Sequence, residues 1–390
     1  MALFGKKKKD KKISAEEYTG IIKDDDAIYE DLDKWHDDEK YDKIAEAVLA
    51  VPFERWSNRL WFRLISAYNN LKQFDKAENE LQKLKPRCEK PDDIAHWYYM
   101  KGYIQFVNNK IFSALHFYED GLAADPEDTG ELELQQEIDD CWVQIKKDLK
   151  TLHDISDNIV KDIKLNCSKE ADSDKLKLTD EQFTLELGFL PGIRKIPGQE
   201  KGLGFNEYFK RFEGEEKEWA KDWLKQLFDI SDNESFKAFL QKSIYCNMAH
   251  FGDDTLAVIN KNPNFQIAEL NSQGKRLFQD TTLFVNAFAE YLPKAGTHAW
   301  DICEKIGYLR YAYAVDYIPE EHYINCMMAL TEEAKANFDS TEEYVTSLIF
   351  GCGLYMFMTD DCSIDSGVKF LCQMATYILH GDLPHVLWRK

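Results

Sequence analysis

Long apolar runs are missing from this sequence. The most apolar stretch, residues 344–358, has 15 residues, whereas a helix that crosses a bilayer needs about 20. We therefore predict that this stretch is a buried core helix. The N-terminus also lacks an apolar signal region, and residue 2 is not glycine. Neither export nor myristoylation is indicated, so we expect a cytoplasmic protein.

Several chemical signatures are absent as well. The nine cysteines lie between Cys88 and Cys372 without a C-x-x-C pair, which favours reduced thiols over disulfides or a structural metal. There is no H-x-x-x-H, E-x-x-H or G-x-S-x-G pattern, and the glycines at 198–204 lack the ending of a phosphate loop. The sequence thus predicts no metal site and no cofactor, and it identifies no catalytic residue.

Positive charge is scarce. Lys and Arg number 49 against 70 Asp and Glu, which gives a net charge of -21. A surface so rich in carboxylates repels phosphates, so a nucleic-acid partner is excluded. The exception is the start, where residues 1–13 form a basic tail that we expect to be disordered. Lys6–Lys12 carries six lysines and one aspartate, and we expect it to contact anionic lipid at most weakly.

Proline is rare, and no clear strand alternation is present, so the chain is predicted to be all-α. Near the N-terminus three segments align by eye: residues 41–52, 74–85 and 111–122. Their starts are 33 and 37 residues apart, close to the roughly 34-residue period of tetratricopeptide helix pairs. The large and small apolar positions of that motif are occupied by Trp61, Leu64, Tyr68, Ala77, Leu81, Leu84, Gly102, Ala114, Tyr118 and Pro126.

Residues 25–127 therefore resemble the tetratricopeptide-repeat family. Small residues such as Ala77 and Ala114 let paired helices approach closely, although Ile44 takes the small-residue place in the first unit. The resemblance implies a superhelix whose concave groove binds an extended peptide or a helix of another protein. The groove positions of the family fall on Arg59, Phe62, Ser66, Asn69, Asn70, His96, Tyr99, Tyr103 and Phe106. Some of these rings instead pack on the neighbouring helix if three repeats stack tightly.

A long amphipathic helix follows the repeats. Apolar residues recur at threes and fours from Leu134 to Ile163, which predicts one helix that caps the repeat stack. A coiled-coil dimer seam is the alternative, but Ser156 stands where that seam needs an apolar residue. We assign residues 14–165 to the repeats with this helix, 166–206 to an irregular linker, and 207–390 to an all-α C-terminal domain.

The C-terminal domain is predicted from periodic apolar segments at 217–229, 233–249, 278–291, 297–316, 320–337, 341–358 and 366–379. Ser231 with Glu234, and Ser340 with Glu343, have the spacing of capping boxes at helix starts. Pro319 suits a first helical position. The glycines Gly351 and Gly353, inside an apolar helix, are expected to permit close helix contacts.

This region resembles the bacterial domain-of-unknown-function family 1266, which has no established activity. The resemblance rests on residues 299–301, Arg310, residues 317–318, the helix with Ser340, Tyr344 and Gly351, and residues 222–240. Two positions depart from the pattern: Glu304 replaces a basic residue, and Asp316 replaces a glycine.

Charged residues lie within an otherwise apolar helix at residues 298–318. Asp301 and Arg310 are nine positions apart and point to opposite sides, so each needs a partner from another element. In a structural interpretation, Asp301 bonds backbone N–H groups near a Thr297 cap, and Arg310 ties helices together. In a functional one, a polar pocket is lined by His298, Trp300, Asp301, Glu304 and Arg310.

The sequence thus favours a non-enzymatic adaptor or scaffold whose repeat groove binds another protein. A ligand-binding or hydrolase-like activity around Asp301 and Arg310 is one alternative. Neutralisation of another protein, as by bacterial immunity proteins, is a further one.

Overall fold

The computed structural model describes residues 28–129, 132–168, 174–188, 208–243, 246–248 and 270–388. Within these ranges the chain is helical and has no β-strand, which confirms the all-α class. The helices are α1 Ile28–Asp37, α2 Tyr41–Leu49, α3 Asn58–Asn70, α4 Phe74–Leu84, α5 Pro91–Val107, α6 Ile111–Ala124, α7 Leu134–Cys167, α8 Asp180–Leu187, α9 Gly214–Phe228, α10 Asn233–Lys242, α11 Ser272–Asn286, α12 His298–Ala314, α13 Glu320–Asn337, α14 Thr341–Thr359 and α15 Ile364–Leu379. The basic tail at residues 1–13 lies outside the described residues.

The chain divides into two compact units, Met1–Ile145 and Lys146–Lys390. The division falls inside α7, whereas the sequence places the end of the repeat region after residue 165. Residues 145 and 165 both lie in α7. Because the division falls inside a regular helix, no change of composition indicates it, whereas the Gly- and Pro-rich sequence after residue 165 is visible as a change of composition.

One turn recurs three times in the first unit. Glu39, Lys72 and Asn109 follow α1, α3 and α5, and each has a left-handed backbone with φ of 56, 57 and 60°. Their spacing repeats the 33- and 37-residue intervals of the sequence. After each of them a backbone N–H donates to a carbonyl five residues earlier, namely Lys40 to Trp35, Gln73 to Tyr68 and Lys110 to Gln105 at 2.7, 2.8 and 2.9 Å. The unit is therefore built from three similar helix–turn–helix pairs.

Small residues lie at the helix contacts of this unit, as predicted. Ala77 and Ala114 have no exposed surface. A Cβ added to Gly102 would come within 2.5 Å of the Tyr118 ring, so only glycine fits opposite that side chain. In the first pair Ile44 takes the small-residue place and is 1% exposed.

The long helix predicted after the repeats is present as α7, Leu134–Cys167. Its apolar stripe is buried within the single chain and so is not available as a coiled-coil seam. Ser156, on this stripe, is fully buried, and its hydroxyl donates to the Leu152 carbonyl at 2.7 Å.

In the second unit, α12 is the central helix, since it contacts α8, α10, α13 and α14. Fifteen of its 17 residues are buried. The apolar stretch at 344–358 lies in α14, most of which is buried, so the predicted core helix is confirmed. Each helix in the described ranges is too short or too polar to cross a bilayer.

The interval predicted as an irregular linker, 166–206, contains a helix. In α8 the side chains of Phe183 and Leu187 are buried, and Thr179 and Gln182 form a capping box at its start. The backbones of Leu176 and Val386 form an isolated bridge nearby. The prediction was wrong here because one short amphipathic turn next to Gly- and Pro-rich sequence gives little periodicity.

Two helix starts differ from prediction. Asp232, rather than Ser231, caps α10, and its carboxylate accepts the N–H of Ser235 at 2.8 Å. A carboxylate next to a positive helix end competes well with a hydroxyl. Pro319 precedes α13 as its N-cap rather than its first residue.

Other helix starts follow the sequence in part. Ser340 caps α14 by accepting the N–H of Glu343 at 3.2 Å, but the Glu343 carboxylate accepts from Asp339 rather than from Ser340. Thr297 precedes α12 without a side-chain cap bond.

The two glycines of α14 lie at close helix contacts, as predicted. A Cβ at Gly351 would meet the Cβ of Trp300 at 2.6 Å and the Thr297 carbonyl oxygen at 3.3 Å. A Cβ at Gly353 would meet the Leu371 side chain at 2.9 Å. These contacts hold α14 against α12 and α15.

We expect Gly351→Ala to lower the free energy of unfolding by about 1–3 kcal/mol, because the added methyl displaces helix α12. Gly274→Ala, in the same unit, is the control, since its added Cβ would lie at least 3.3 Å from any neighbour, against 2.6 Å at Gly351, and needs only a small local shift. Urea denaturation followed by circular dichroism measures both. Equal stability of the two variants would contradict the proposed close contact.

Candidate functional site

The predicted groove residues from the start of α3 and α5 line one cavity. Phe62 stacks on His96 with ring centroids 3.9 Å apart and an interplanar angle of 2°. The Arg59 guanidinium lies 4.2 Å from the centre of the Tyr29 ring. A cavity of about 170 Å³ is lined by Arg59, Phe62, Arg63, Ser66, His96 and Met100. Here a stacked aromatic floor lies beside two guanidinium groups.

The His96 imidazole is neutral at pH 7. Burial, together with the positive charge of Arg63, lowers its pKa to about 4, although the charge of Asp92 opposes the shift. Arg63 itself forms an ion pair with Asp33 of α1. This cavity therefore contains a neutral imidazole stacked on the buried Phe62 ring, and Arg63 at its edge is paired with Asp33.

The remaining groove residues of the two helices line a second cavity. It measures about 570 Å³ and is lined by Asn69, Asn70, Lys72, Phe74, Tyr103, Phe106, Val107 and Asn109. Asn70 is exposed, and its amide donates to the Ser66 carbonyl at 3.0 Å. Four of the nine predicted residues thus meet here.

Asn69 is the most unusual residue of this cavity. It is only 3% exposed, and its amide nitrogen donates to the Met100 sulfur at 3.8 Å, a weak acceptor. Its Oδ1 has no hydrogen-bond partner among the described residues. A buried carbonyl oxygen left unpaired costs about 1–3 kcal/mol. Asn69 therefore carries a buried, unsatisfied acceptor in the wall of this cavity.

Tyr99, the ninth predicted residue, lies outside the lining of both cavities and next to α7. Its hydroxyl hydrogen bonds to Glu137, and burial together with that carboxylate raises its pKa to about 12. Burial also raises the pKa of Glu137, as do the nearby charges of Asp140 and Glu133. The first turns of α7 therefore contribute an acidic edge.

Sequence reasoning missed several members of this surface. Arg63 and Met100 line the first cavity, and Lys72, Phe74, Val107 and Asn109 line the second. The carboxylates of α7 were missed because that helix was interpreted as a cap. The i, i+4, i+7 spacing of Glu133, Glu137 and Asp140 was the available signal.

In the second unit, His298 joins α12 to α13. Its Nε2 is 2.7 Å from Oε1 of Glu333, and its Nδ1 is 4.0 Å from Oδ2 of Asp301. Both ring nitrogens thus face carboxylates, and the Nε2 contact is short enough to be a hydrogen bond that links the two helices.

Asp301 is 3% exposed, and its Oδ1 accepts the backbone N–H of Met248 at 2.8 Å. Asp301 therefore accepts a backbone N–H, as the structural interpretation predicts. That N–H belongs to Met248, however, and not to the first turn of α12. Trp300 is 1% exposed and stacks on Tyr355, with centroids 4.7 Å apart. Glu304 has no exposed surface. These side chains form the core around the start of α12.

Arg310 lies roughly 13 Å further along the helix axis from Asp301. It is 4% exposed, and its charge interacts with Tyr323 of α13 and Glu186 of α8. Burial lowers its pKa to about 10, so it remains charged at pH 7. The predicted polar site is therefore divided between two regions of α12. Asp301 lies near its start, and Arg310 lies further along, where it links α12 to α8 and α13.

A cavity of about 220 Å³ in this unit is lined by other residues, namely Asp180, Glu181, Thr184, Tyr208, Phe209, Ile324, Met328, Thr331, Glu332 and Lys335. On α13 the Cys326 sulfur is 3.7 Å from Nε2 of His322. Burial raises the pKa of Cys326, so this pair lacks an activated thiolate. The described ranges contain no group of three His, Cys, Asp or Glu side chains that could hold a metal ion.

The link between His298 and Glu333 predicts a pH-dependent stability. The hydrogen bond from His298 lowers the pKa of Glu333 below its usual value of 4.5. A depressed carboxyl pKa stabilises the fold above the unfolded pKa, and this contribution is lost as the pH falls through the folded pKa.

We expect Glu333→Gln to lower the unfolding free energy at pH 7 by about 0.5–1 kcal/mol, since the pair is partly exposed. The difference from the wild type should shrink as the pH falls below 4.5 and through the lowered folded pKa of Glu333, because the protonated carboxyl is then neutral like glutamine. Denaturation at pH 7, 5, 4 and 3 measures it, with the exposed Glu332→Gln as control. A difference independent of pH would refute this link.

Comparison with known proteins adds one match. Residues 223–381 match the model of the family described as "Protein of unknown function (DUF1266)". The match lies in the second unit and covers α10 to α15 with part of α9, which confirms the resemblance predicted for the C-terminal domain. It does not extend to residues 25–127. No curated protein and no solved structure matches the chain. The C-terminal region is therefore similar to a family whose function is unknown.

Proposed function

We propose that the chain is an adaptor, in which a tetratricopeptide-like superhelix built from α1 to α6 binds an extended segment of another protein. The recurring left-handed turn and the helix contacts at Ala77, Gly102 and Ala114 support this architecture. The nine free thiols fit a reducing compartment such as the cytoplasm.

The single observation that carries the proposal is the unpaired Oδ1 of Asn69. Most buried amide oxygens in folded chains have a donor, which comes from the protein, an ordered water or a ligand. An extended peptide presents a backbone N–H at every second residue on one side. One such N–H directed at Asn69 would satisfy the oxygen and fix the register of the bound segment.

The rings beside Asn69 supply contact area. Tyr103 and Phe106 line the same cavity, and the stacked Phe62 and His96 lie in the cavity at the start of α3 and α5. Rigid aromatic side chains bury much apolar surface at a small entropic cost. Affinity would therefore come from the rings, and register from Asn69.

An enzymatic role in the second unit has less support. Both nitrogens of His298 face carboxylates, and Arg310 lies apart from Asp301 along α12. We infer that these charges hold the helices together. We also infer that the repeat unit, by binding its partner, delivers or regulates the second unit.

The proposal is tested on Asn69→Leu, which keeps side-chain size and removes the oxygen. Peptides selected from a random display library on the wild-type chain serve as ligands, and fluorescence anisotropy measures binding. We expect the variant to bind them about tenfold or more weakly, while its stability stays equal or rises by about 1 kcal/mol, because an unsatisfied acceptor is removed.

Asn108→Leu is the matched control, since Asn108 is exposed at the end of α5 and its amide bonds only the Ile104 carbonyl at 2.8 Å. It should bind as the wild type does. Undiminished binding by Asn69→Leu, or a library without binders, would refute the proposed groove.

A further inference from the structure

The acidic edge of the groove has few compensating charges. Glu137 and Asp140 share one side of α7 because they are three residues apart, and Glu133, with a left-handed φ of 53°, directly precedes that helix. Their side-chain partners are neutral groups: the Tyr99 hydroxyl bonds Glu137, and the Gln136 amide donates to Asp140 at 2.9 Å. Asp140 and Glu133 both raise the pKa of Glu137, which indicates mutual repulsion. A cation placed here would relieve that repulsion.

This edge is continuous with the cavity of Asn69. Tyr103 lines that cavity, and it also interacts electrostatically with Tyr99 beside Glu137. On its α7 side this surface presents the carboxylates of Glu133 and Glu137 and the rings of Tyr99 and Tyr103. Lysine ammonium groups satisfy each of these. Lys72 lies in the lining of the cavity, so a cationic ligand would bind on the α7 side.

The chain carries such a ligand itself. The segment Lys6–Lys12 has six lysines and one aspartate in a protein with net charge -21. Residues 13–27 connect it to α1, and at about 3.3 Å per residue they can span roughly 50 Å. Helix α5, with 17 residues, is only about 25 Å long. The tether therefore reaches any point of the groove.

We propose that Lys6–Lys12 of the same chain binds the acidic side of the groove formed by Tyr99, Tyr103, Glu133 and Glu137. This inference rests on the proposed function, because it regulates the surface that takes the partner. A tethered segment has an effective concentration near the millimolar range, so a weak contact is largely formed. A partner must displace it, and salt weakens it because the contact is electrostatic.

The test uses a labelled peptide of residues 1–13 and two forms of the protein, the full chain and a variant that lacks residues 1–13. We expect the peptide to bind the shortened chain about tenfold more tightly than the full chain, in which the tether competes. Binding should weaken as salt rises from 50 to 500 mM. Fluorescence anisotropy measures both.

Glu133→Gln with Glu137→Gln, in the shortened chain, should weaken binding about tenfold, whereas Glu127→Gln with Asp139→Asn removes two exposed charges elsewhere and should not. Equal binding by both pairs, or by full and shortened chains, overturns the proposal. The proposal is also overturned if the tail peptide binds phosphatidylserine vesicles but not the protein, or if the tail of the full chain binds a second copy and forms a dimer. If library peptides still bind through Asn69 while the tail peptide does not, only this inference fails.

Discussion

The close approach of paired helices at small residues is the constraint on which the first unit depends. Tyr118 fits against α5 because Gly102 has no side chain, and Ala77 and Ala114 are fully buried at their own helix contacts. The left-handed residue at each turn fixes where the second helix of a pair begins. Because turn and contact recur, α3 and α5 present equivalent faces, and the cavities form between those faces.

The first unit also contains local features that cost free energy, namely its left-handed turn residues and the buried amide of Asn69. A left-handed conformation at Lys72 or Asn109 costs an ordinary residue about 1 kcal/mol, and the buried oxygen of Asn69 costs more. Turn strain is offset by the helix pairing that it permits. No described group offsets the unpaired oxygen of Asn69, and such local costs are common where a surface binds a ligand.

The sequence predicts the regular elements well and the special ones poorly. Periodicity predicts α7, α9 and α12 to α15 within a few residues, but it places the end of α10 seven residues late and the start of α11 six residues late. Gly351 within an apolar helix predicts its contact with Trp300. Helix α8 was not predicted, because it is short. The separation of Arg310 from Asp301 follows from helix geometry, but Glu186 as a partner required α8 to be known.

Eight of the nine positions predicted from the repeat motif line the two cavities, but the motif does not predict their protonation or hydrogen bonding. The neutral form of His96 depends on its burial and on Arg63, and the unpaired oxygen of Asn69 depends on Met100 as its neighbour. Both are consequences of contacts between helices. The role of α7 as an acidic edge also appears only when Glu137 is seen beside Tyr99.

The most direct measurement places a photoreactive benzophenone amino acid at position 103, inside the groove, and in a second protein at position 377, an exposed site in the other unit. Each is irradiated with a library-selected peptide and analysed by mass spectrometry. The account predicts crosslinks to the peptide from position 103 and none from position 377. Crosslinks from position 377 alone would contradict it.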